Sequence, residues 1–251
     1  MQQGRHYVNS PLIIGGNGHS GTRVFAEISI YCGYTMGKAG LSYDRDSKDL
    51  NIRRLMNRWM KPYLLGQDER QTEKMKRDFL FWLRILIPFR SGPWGFKNPR
   101  SMFLLPFYHD LFPEMKFIHV IRDGRDMCFG NPFVSSPTIW SFVSDEEAAK
   151  LTPEQRMIRF WGESNRRVKA FGESVLGDNY LRVRFEDLCE NTEAETRRIV
   201  NFVGGPLDEL TEMMAIVRTP KSIGRWKSFD ADKVASVVAD GAEYLKEFGY
   251  V

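Results

Sequence analysis

Two stretches of this 251-residue chain carry residue types that bind anions. The first is GGNGHSGTR, residues 15–23. Glycines let a backbone approach a ligand closely. The N–H groups that open a helix lack intrahelical partners and sit at the positive end of its dipole. Ser20 and Thr22 add hydroxyl donors, and His19 and Arg23 add cationic capacity. The second stretch is KFIHVIRDGRD, residues 116–126. It is a β-rich run ending at Arg122, whose guanidinium can take a phosphate on two parallel N–H donors. Each stretch alone also fits a plain structural role: a tight strand–helix turn for the first, an arginine paired with Asp123 or Asp126 for the second.

Loops that hold ATP or GTP end Gly-Lys-Ser/Thr, with the lysine reaching the β- and γ-phosphates. Here Thr22 stands in the lysine's place. No apolar strand ends directly in a metal-holding aspartate either, because Arg122 precedes Asp123, and an arginine there opposes Mg²⁺ and favours a phosphate. The pair of stretches suits an anion handled without a metal.

Elements must bring these residues together. Residues 11–14, 95–97, 116–121 and 180–185 read as short strands, and residues 22–32, 69–86, 101–111 and 193–203 as helices. Residues 50–60 also carry helical periodicity. Residues 33–48 read as a loop, and residues 126–129 as the opening of a helix. Thr152 followed by Pro153 marks the start of a long helix through Phe171. Strands alternating with helices predict a parallel sheet with helices on both faces. In such sheets ligands bind at the carboxyl ends of the strands, where residues 15–23, Lys97 and residues 122–125 fall.

The remaining features narrow the class. A net charge of +4 is compatible with an anionic ligand but too small a surplus to argue for nucleic acid. The three cysteines, Cys32, Cys128 and Cys189, have neither metal-type spacing nor a disulfide framework. The N-terminal ten residues lack an apolar signal core, and no run approaches the ~20 apolar residues of a membrane span. The expectation is a cytoplasmic protein of one domain, residues 1–251, with residues 50–90 a helical insert.

Both anion-binding stretches, in this order, resemble the sulfotransferases that use 3′-phosphoadenosine 5′-phosphosulfate (PAPS). GHSGT is similar to that family's 5′-phosphosulfate loop, and KFIHVIRDGRD to its 3′-phosphate motif. YLRVRFEDL (180–188), GRWK (224–227) and the ending LKEFGY (245–250) extend the likeness over nearly the whole chain. The resemblance implies a three-layer α/β/α, P-loop NTPase-like parallel sheet and sulfonyl transfer to a hydroxyl or amine. The acceptor would be a small molecule, a carbohydrate or a peptide. PAPS, the donor substrate, carries two separate anionic groups and needs no metal, which accounts for the missing lysine.

Position by position, the resemblance assigns Ser20, Gly21 and Thr22 to the 5′-phosphosulfate. His19 stands where the family has Lys or Arg, and Arg23 replaces its second threonine. Lys97 matches the lysine that contacts the transferring group, and Arg122 the arginine on the 3′-phosphate. The family's serine eight residues beyond that arginine is Gly130 here, leaving Asn131 or Ser135 to supply the contact. Phe185 matches an aromatic near the adenine, and Lys221, Ser222 and Arg225 are candidates to close over the 3′-phosphate. A histidine base is absent, because Pro99 occupies its place. The candidate bases are Asp44 and Asp46, in the loop after the first helix. A P-loop kinase and a catalytically inactive nucleotide binder of the same fold are the alternatives. The aromatic and basic residues of the 50–90 insert read as amphipathic helices or as walls of an acceptor cleft.

Overall fold

A computed structural model of the chain describes residues 10–36, 68–86, 92–129 and 149–251, with positions 60, 63, 64, 66 and 146. Five strands form one sheet: β1 (Leu12–Gly16), β2 (Thr35–Met36), β3 (Trp94–Lys97), β4 (Lys116–Ile121) and β5 (Tyr180–Arg184). Their order is β2-β3-β1-β4-β5, and every pairing is parallel. The helices are α1 (Thr22–Tyr31), α2 (Glu69–Leu86), α3 (Leu105–Leu111), α4 (Gly124–Cys128), α5 (Pro153–Phe171), α6 (Phe185–Glu190), α7 (Thr192–Val203), α8 (Leu210–Ala215) and α9 (Ala231–Glu247). No described helix is long and apolar enough to cross a membrane.

The central strands β1, β3 and β4 are buried on both faces because helices cover both, as in other parallel sheets, while the edge strands β2 and β5 are mostly half-buried. Alternate side chains go to opposite sides. Leu12, Ile14, Ile118, Val120 and Val183 pack with Phe25 and Ile28 of α1 and with Ile199, Val200 and Val203 of α7. Ile13, Phe96 and Phe117 face the other way, toward Met75 and Phe79 of α2, Phe107 and Tyr108 of α3, and Val168 of α5. A third cluster joins Ile121, α4, Ile158 and Trp161 of α5 and Leu245 of α9. The result is the three-layer arrangement expected from the sequence.

Three local expectations change. Residues 35–36, expected in a loop, are strand β2, paired with Trp94 and Gly95. Two residues are too few to show a period, so only the pairing reveals them. Residues 101–111 divide into a 3₁₀ turn, Pro99–Leu104, capped by the Asn98 side chain, and then α3. The helix expected to open at Asp126 starts at Gly124, because the Asp123 carboxylate accepts from Arg125 N and caps it. Elsewhere the signals hold: Thr152 and Gln155 form a reciprocal capping box on α5, and Gly204 closes α7 in the left-handed conformation.

His119 ties the sheet to α5. It is fully buried mid-strand. Asn165 Nδ2 donates to Trp161 O, which turns Asn165 Oδ1 toward His119 Nε2 at 2.9 Å. Nε2 therefore carries the proton, and Nδ1 accepts from the Tyr180 hydroxyl at 2.7 Å. Both nitrogens are satisfied in the neutral ring, and burial pushes the imidazole pKa down to about 3. Between that value and the ordinary ~6.5 the unfolded chain holds a proton the folded chain lacks, so stability rises with pH across this window. Acidification from pH 7 toward pH 4 is expected to lower the unfolding free energy, measured by urea titration, by up to ~1.4 kcal/mol per pH unit from this residue. His119→Gln should start less stable and show a flatter profile. Equal slopes in the two proteins would mean that His119 is not held neutral.

Candidate active site

The candidate residues gather at the carboxyl ends of β1, β3 and β4. The chain leaves β1 at Gly16 and turns through residues 17–21 into α1. Ser20 N and Ser20 Oγ both donate to Asn17 O, at 3.1 and 2.6 Å. The Asn17 side chain is buried and donates to Ser164 Oγ of α5 at 3.3 Å. The loop is therefore held from within and from the helix layer, and the Ser20 hydroxyl is engaged in that internal closure.

Two residues of the loop take the left-handed conformation: His19 at φ 70° and Gly21 at φ 86°. Gly21 is the N-cap of α1, and no side chain caps it. A Cβ on Gly21 would lie 2.4 Å from the Phe185 ring. Position 21 thus requires glycine for conformation and for space at once. Gly21→Ala is expected to abolish tight anion binding and lower the melting temperature by several degrees, checked by thermal unfolding with and without adenosine 3′,5′-bisphosphate. An alanine variant with wild-type affinity would show that the loop works in another shape.

Arg122 stands at the end of β4, 5% exposed. Its NH2 donates to Ser222 O at 2.6 Å, Ser222 Oγ at 3.0 Å and Asp126 Oδ2 at 3.3 Å. Its NH1 reaches His19 O at 3.4 Å. Its Nε is buried with no hydrogen-bond partner. Arg225 Nε also donates to Ser222 O, at 3.3 Å. Two guanidinium groups therefore converge on one carbonyl, and one of them keeps an orphaned donor. A buried cation with an unspent N–H is a place where an anion gains most.

Lys97 ends β3 opposite Ile14 of β1 and is 8% exposed. Its charge reaches Glu27 of α1, a carboxylate the sequence reading missed. Burial raises the Glu27 carboxyl above the ordinary range against the pull of Arg23 and Lys97. Glu27 lies one helical turn beyond Arg23, the only signal that the sequence offers for it.

A buttress stands behind these groups. Asp123 N donates to Glu186 Oε1 and the Tyr250 hydroxyl to Glu186 Oε2, both at 2.9 Å. Arg125 binds Asp123 through Nε and NH2 and donates to Tyr250 O. Burial raises the Glu186 carboxyl pKa. Trp161 Nε1 of α5 donates to Arg122 O at 3.0 Å, fixing the backbone of the arginine itself.

The structure thus brings His19, Ser20, Gly21, Thr22, Arg122, Ser222 and Arg225 to one end of the sheet. Phe185 joins them through its packing on Gly21, with its ring in the core beside Leu188 and Phe25. Arg23, in the first turn of α1, and Lys221, in the turn before Ser222, are exposed. Asp44, Asp46, Gly130, Asn131 and Ser135 lie outside the described residues. Besides Glu27, sequence reasoning missed Asn17 and Ser164, whose contact spans 147 positions.

Comparison with known proteins places the chain in a family and a fold. The profile of a family described as the sulfotransferase family matches residues 19–209. Protein-tyrosine sulfotransferase A of Caenorhabditis elegans is 31% identical over 114 residues, 45% of this chain and 28% of that protein. The chain therefore spans under a third of the length of that relative. Among solved structures, the sulfotransferase domain of the Synechococcus PCC 7002 olefin synthase superposes with a TM-score of 0.55 at 17% identity, covering 100% of this chain and 99% of that one. Sulfotransferase STF9 of Mycobacterium avium superposes with a TM-score of 0.56 at 13% identity, covering 96% and 77%. At these identities the two superpositions establish the shared fold.

Proposed function

The chain belongs to the sulfotransferase family, and from that premise we propose that it moves the sulfonyl group of PAPS to a hydroxyl or amine of an acceptor. The observation that carries the donor assignment is Arg122. It is a buried arginine with an orphaned Nε, joined by Arg225 on one carbonyl, at the end of the strand next to the glycine loop. Two cationic or N–H-rich cradles side by side suit a ligand with two separate anionic groups.

In this reading the first-turn N–H groups of α1, with Thr22 and His19, hold the 5′-phosphosulfate. Arg122, Ser222 and Arg225 hold the 3′-phosphate, with Lys221 at the rim. Lys97 neutralises charge on the transferring group as the S–O bond to the leaving phosphate lengthens. The acceptor oxygen or nitrogen forms the new S–O or S–N bond and loses its proton to a carboxylate. Asp44 and Asp46 remain candidates for that base, and Glu27 joins them, because burial raises its carboxyl pKa against the pull of Arg23 and Lys97. No metal is needed. Free thiols at Cys32, Cys128 and Cys189 suit the reducing cytoplasm.

The test is transfer of label from ³⁵S-PAPS to a panel of acceptors: a tyrosine-containing peptide, a phenol, an amino sugar and an oligosaccharide. Labelled product with release of adenosine 3′,5′-bisphosphate is expected for at least one class. The amide variants of Glu27, Asp44 and Asp46 then identify the base as the one whose loss flattens the acidic limb of the pH–rate profile. Phosphoryl transfer from ATP with no sulfonyl transfer would replace this reading with the kinase one. Bisphosphate binding without any turnover would leave an inactive nucleotide binder.

A further inference from the structure

The turn at residues 222–226 and the end of β4 are about a hundred positions apart in sequence, and one carboxylate joins them. Asp126 is 2% exposed. Its Oδ2 accepts from Gly224 N at 2.8 Å and from Arg122 NH2 at 3.3 Å, and its Oδ1 accepts from Trp226 N at 3.2 Å. The Arg125 guanidinium lies over the Trp226 ring at 4.1 Å and adds a second, weaker tie.

The partition of these bonds matters. Arg122 spends its NH2 on the Ser222 carbonyl and hydroxyl. An anion that takes this donor together with the orphaned Nε must displace Ser222. If the turn were held only by Arg122, anion binding would release it, and Arg225 would leave with it. The bonds from Gly224 N and Trp226 N to Asp126 use none of the donors an anion needs. We infer that Asp126 is a positioning residue that keeps the 222–226 turn seated over Arg122 while Arg122 exchanges its bond to Ser222 for the 3′-phosphate of the donor. This rests on the donor assignment above and goes beyond it by naming what holds the cradle together during the exchange.

Asp126→Asn keeps the shape but puts a donating NH2 group in place of one of the two oxygens that now accept from Gly224 N, Trp226 N and Arg122. Adenosine 3′,5′-bisphosphate should bind Asp126→Asn at least tenfold more weakly. The KM for PAPS should rise by a similar factor, while kcat falls less than threefold. Amide hydrogen exchange at residues 222–228 should quicken without ligand, and the bisphosphate should no longer slow it.

Gly224→Ala tests the same turn without touching the buried charge. Gly224 sits at φ 75°, and a Cβ there would meet only the Lys227 side chain at 4.0 Å, an ordinary contact, so alanine strains the turn without a clash. It should weaken bisphosphate binding three- to tenfold while lowering the melting temperature by no more than ~2–4 °C. Binding by Asp126→Asn within twofold of wild type, or faster exchange spread through α5 instead of confined to the turn, overturns the inference. Wild-type protein that fails to bind the bisphosphate sinks the donor assignment and the ligand half of this inference with it. The exchange comparison without ligand still decides whether Asp126 seats the turn.

Discussion

Replacing Arg122 by alanine raises the dissociation constant for adenosine 3′,5′-bisphosphate at least a hundredfold, a loss of about 3 kcal/mol. The size follows from burial. Arg122 is 5% exposed and its Nε has no partner within the fold. A phosphate there gains charge-assisted hydrogen bonds in a poorly solvated place, where truncating one member of a charge pair costs ~2–5 kcal/mol. Arg122→Lys keeps the charge but loses the planar fork, so it should fall between the two. The alanine change also strips one donor from the buried Asp126, so unfolding must be followed alongside binding. A folded Arg122→Ala protein with less than a threefold loss of affinity would remove Arg122 from the 3′-phosphate role.

Lys97→Ala lowers kcat by ~10²–10³ and changes bisphosphate affinity less than fivefold. The split follows from where Lys97 sits. It closes β3 opposite Ile14, one residue before the glycine stretch begins, and it is nearly buried. Arg122 and Arg225 converge instead on Ser222, so the 3′-phosphate proposed to bind there is not expected to depend on the lysine. A lysine that meets only the charge developing as the sulfonyl group departs contributes to the transition state and little to the ground state. Pre-steady-state transfer from labelled PAPS measures this step once an acceptor is in hand. Equal losses in kcat and in bisphosphate affinity would assign Lys97 to plain binding.

Much of this architecture is legible in the chain itself, and the reason is local. Strands β1 and β4 are short apolar runs ended by glycine or arginine, and β5 alternates apolar residues with arginine, so each declares itself without reference to the others. The glycine loop and Arg122 are legible because their chemistry sits in consecutive residues. Strand β2 is not, because two residues carry no period and only the partnership with Trp94 and Gly95 defines it. Contacts between distant segments are hidden as well. Asn17 with Ser164, Asp126 with Gly224 and Glu186 with Tyr250 are polar pairs 64 to 147 positions apart. Each residue alone reads as an ordinary turn or surface residue. Glu27 belongs to the same class, because its significance lies in Lys97, which arrives from β3. The base candidates Asp44 and Asp46 fall outside the described residues.

Calorimetric titration with adenosine 3′,5′-bisphosphate, with and without EDTA and beside ATP plus Mg²⁺, tests the central claim most directly. The account predicts micromolar or tighter bisphosphate binding that EDTA leaves unchanged, with ATP at least tenfold weaker. Preference for Mg-ATP, or bisphosphate binding lost on adding EDTA, would contradict it, because the loop at residues 15–23 would then hold a metal-bound triphosphate.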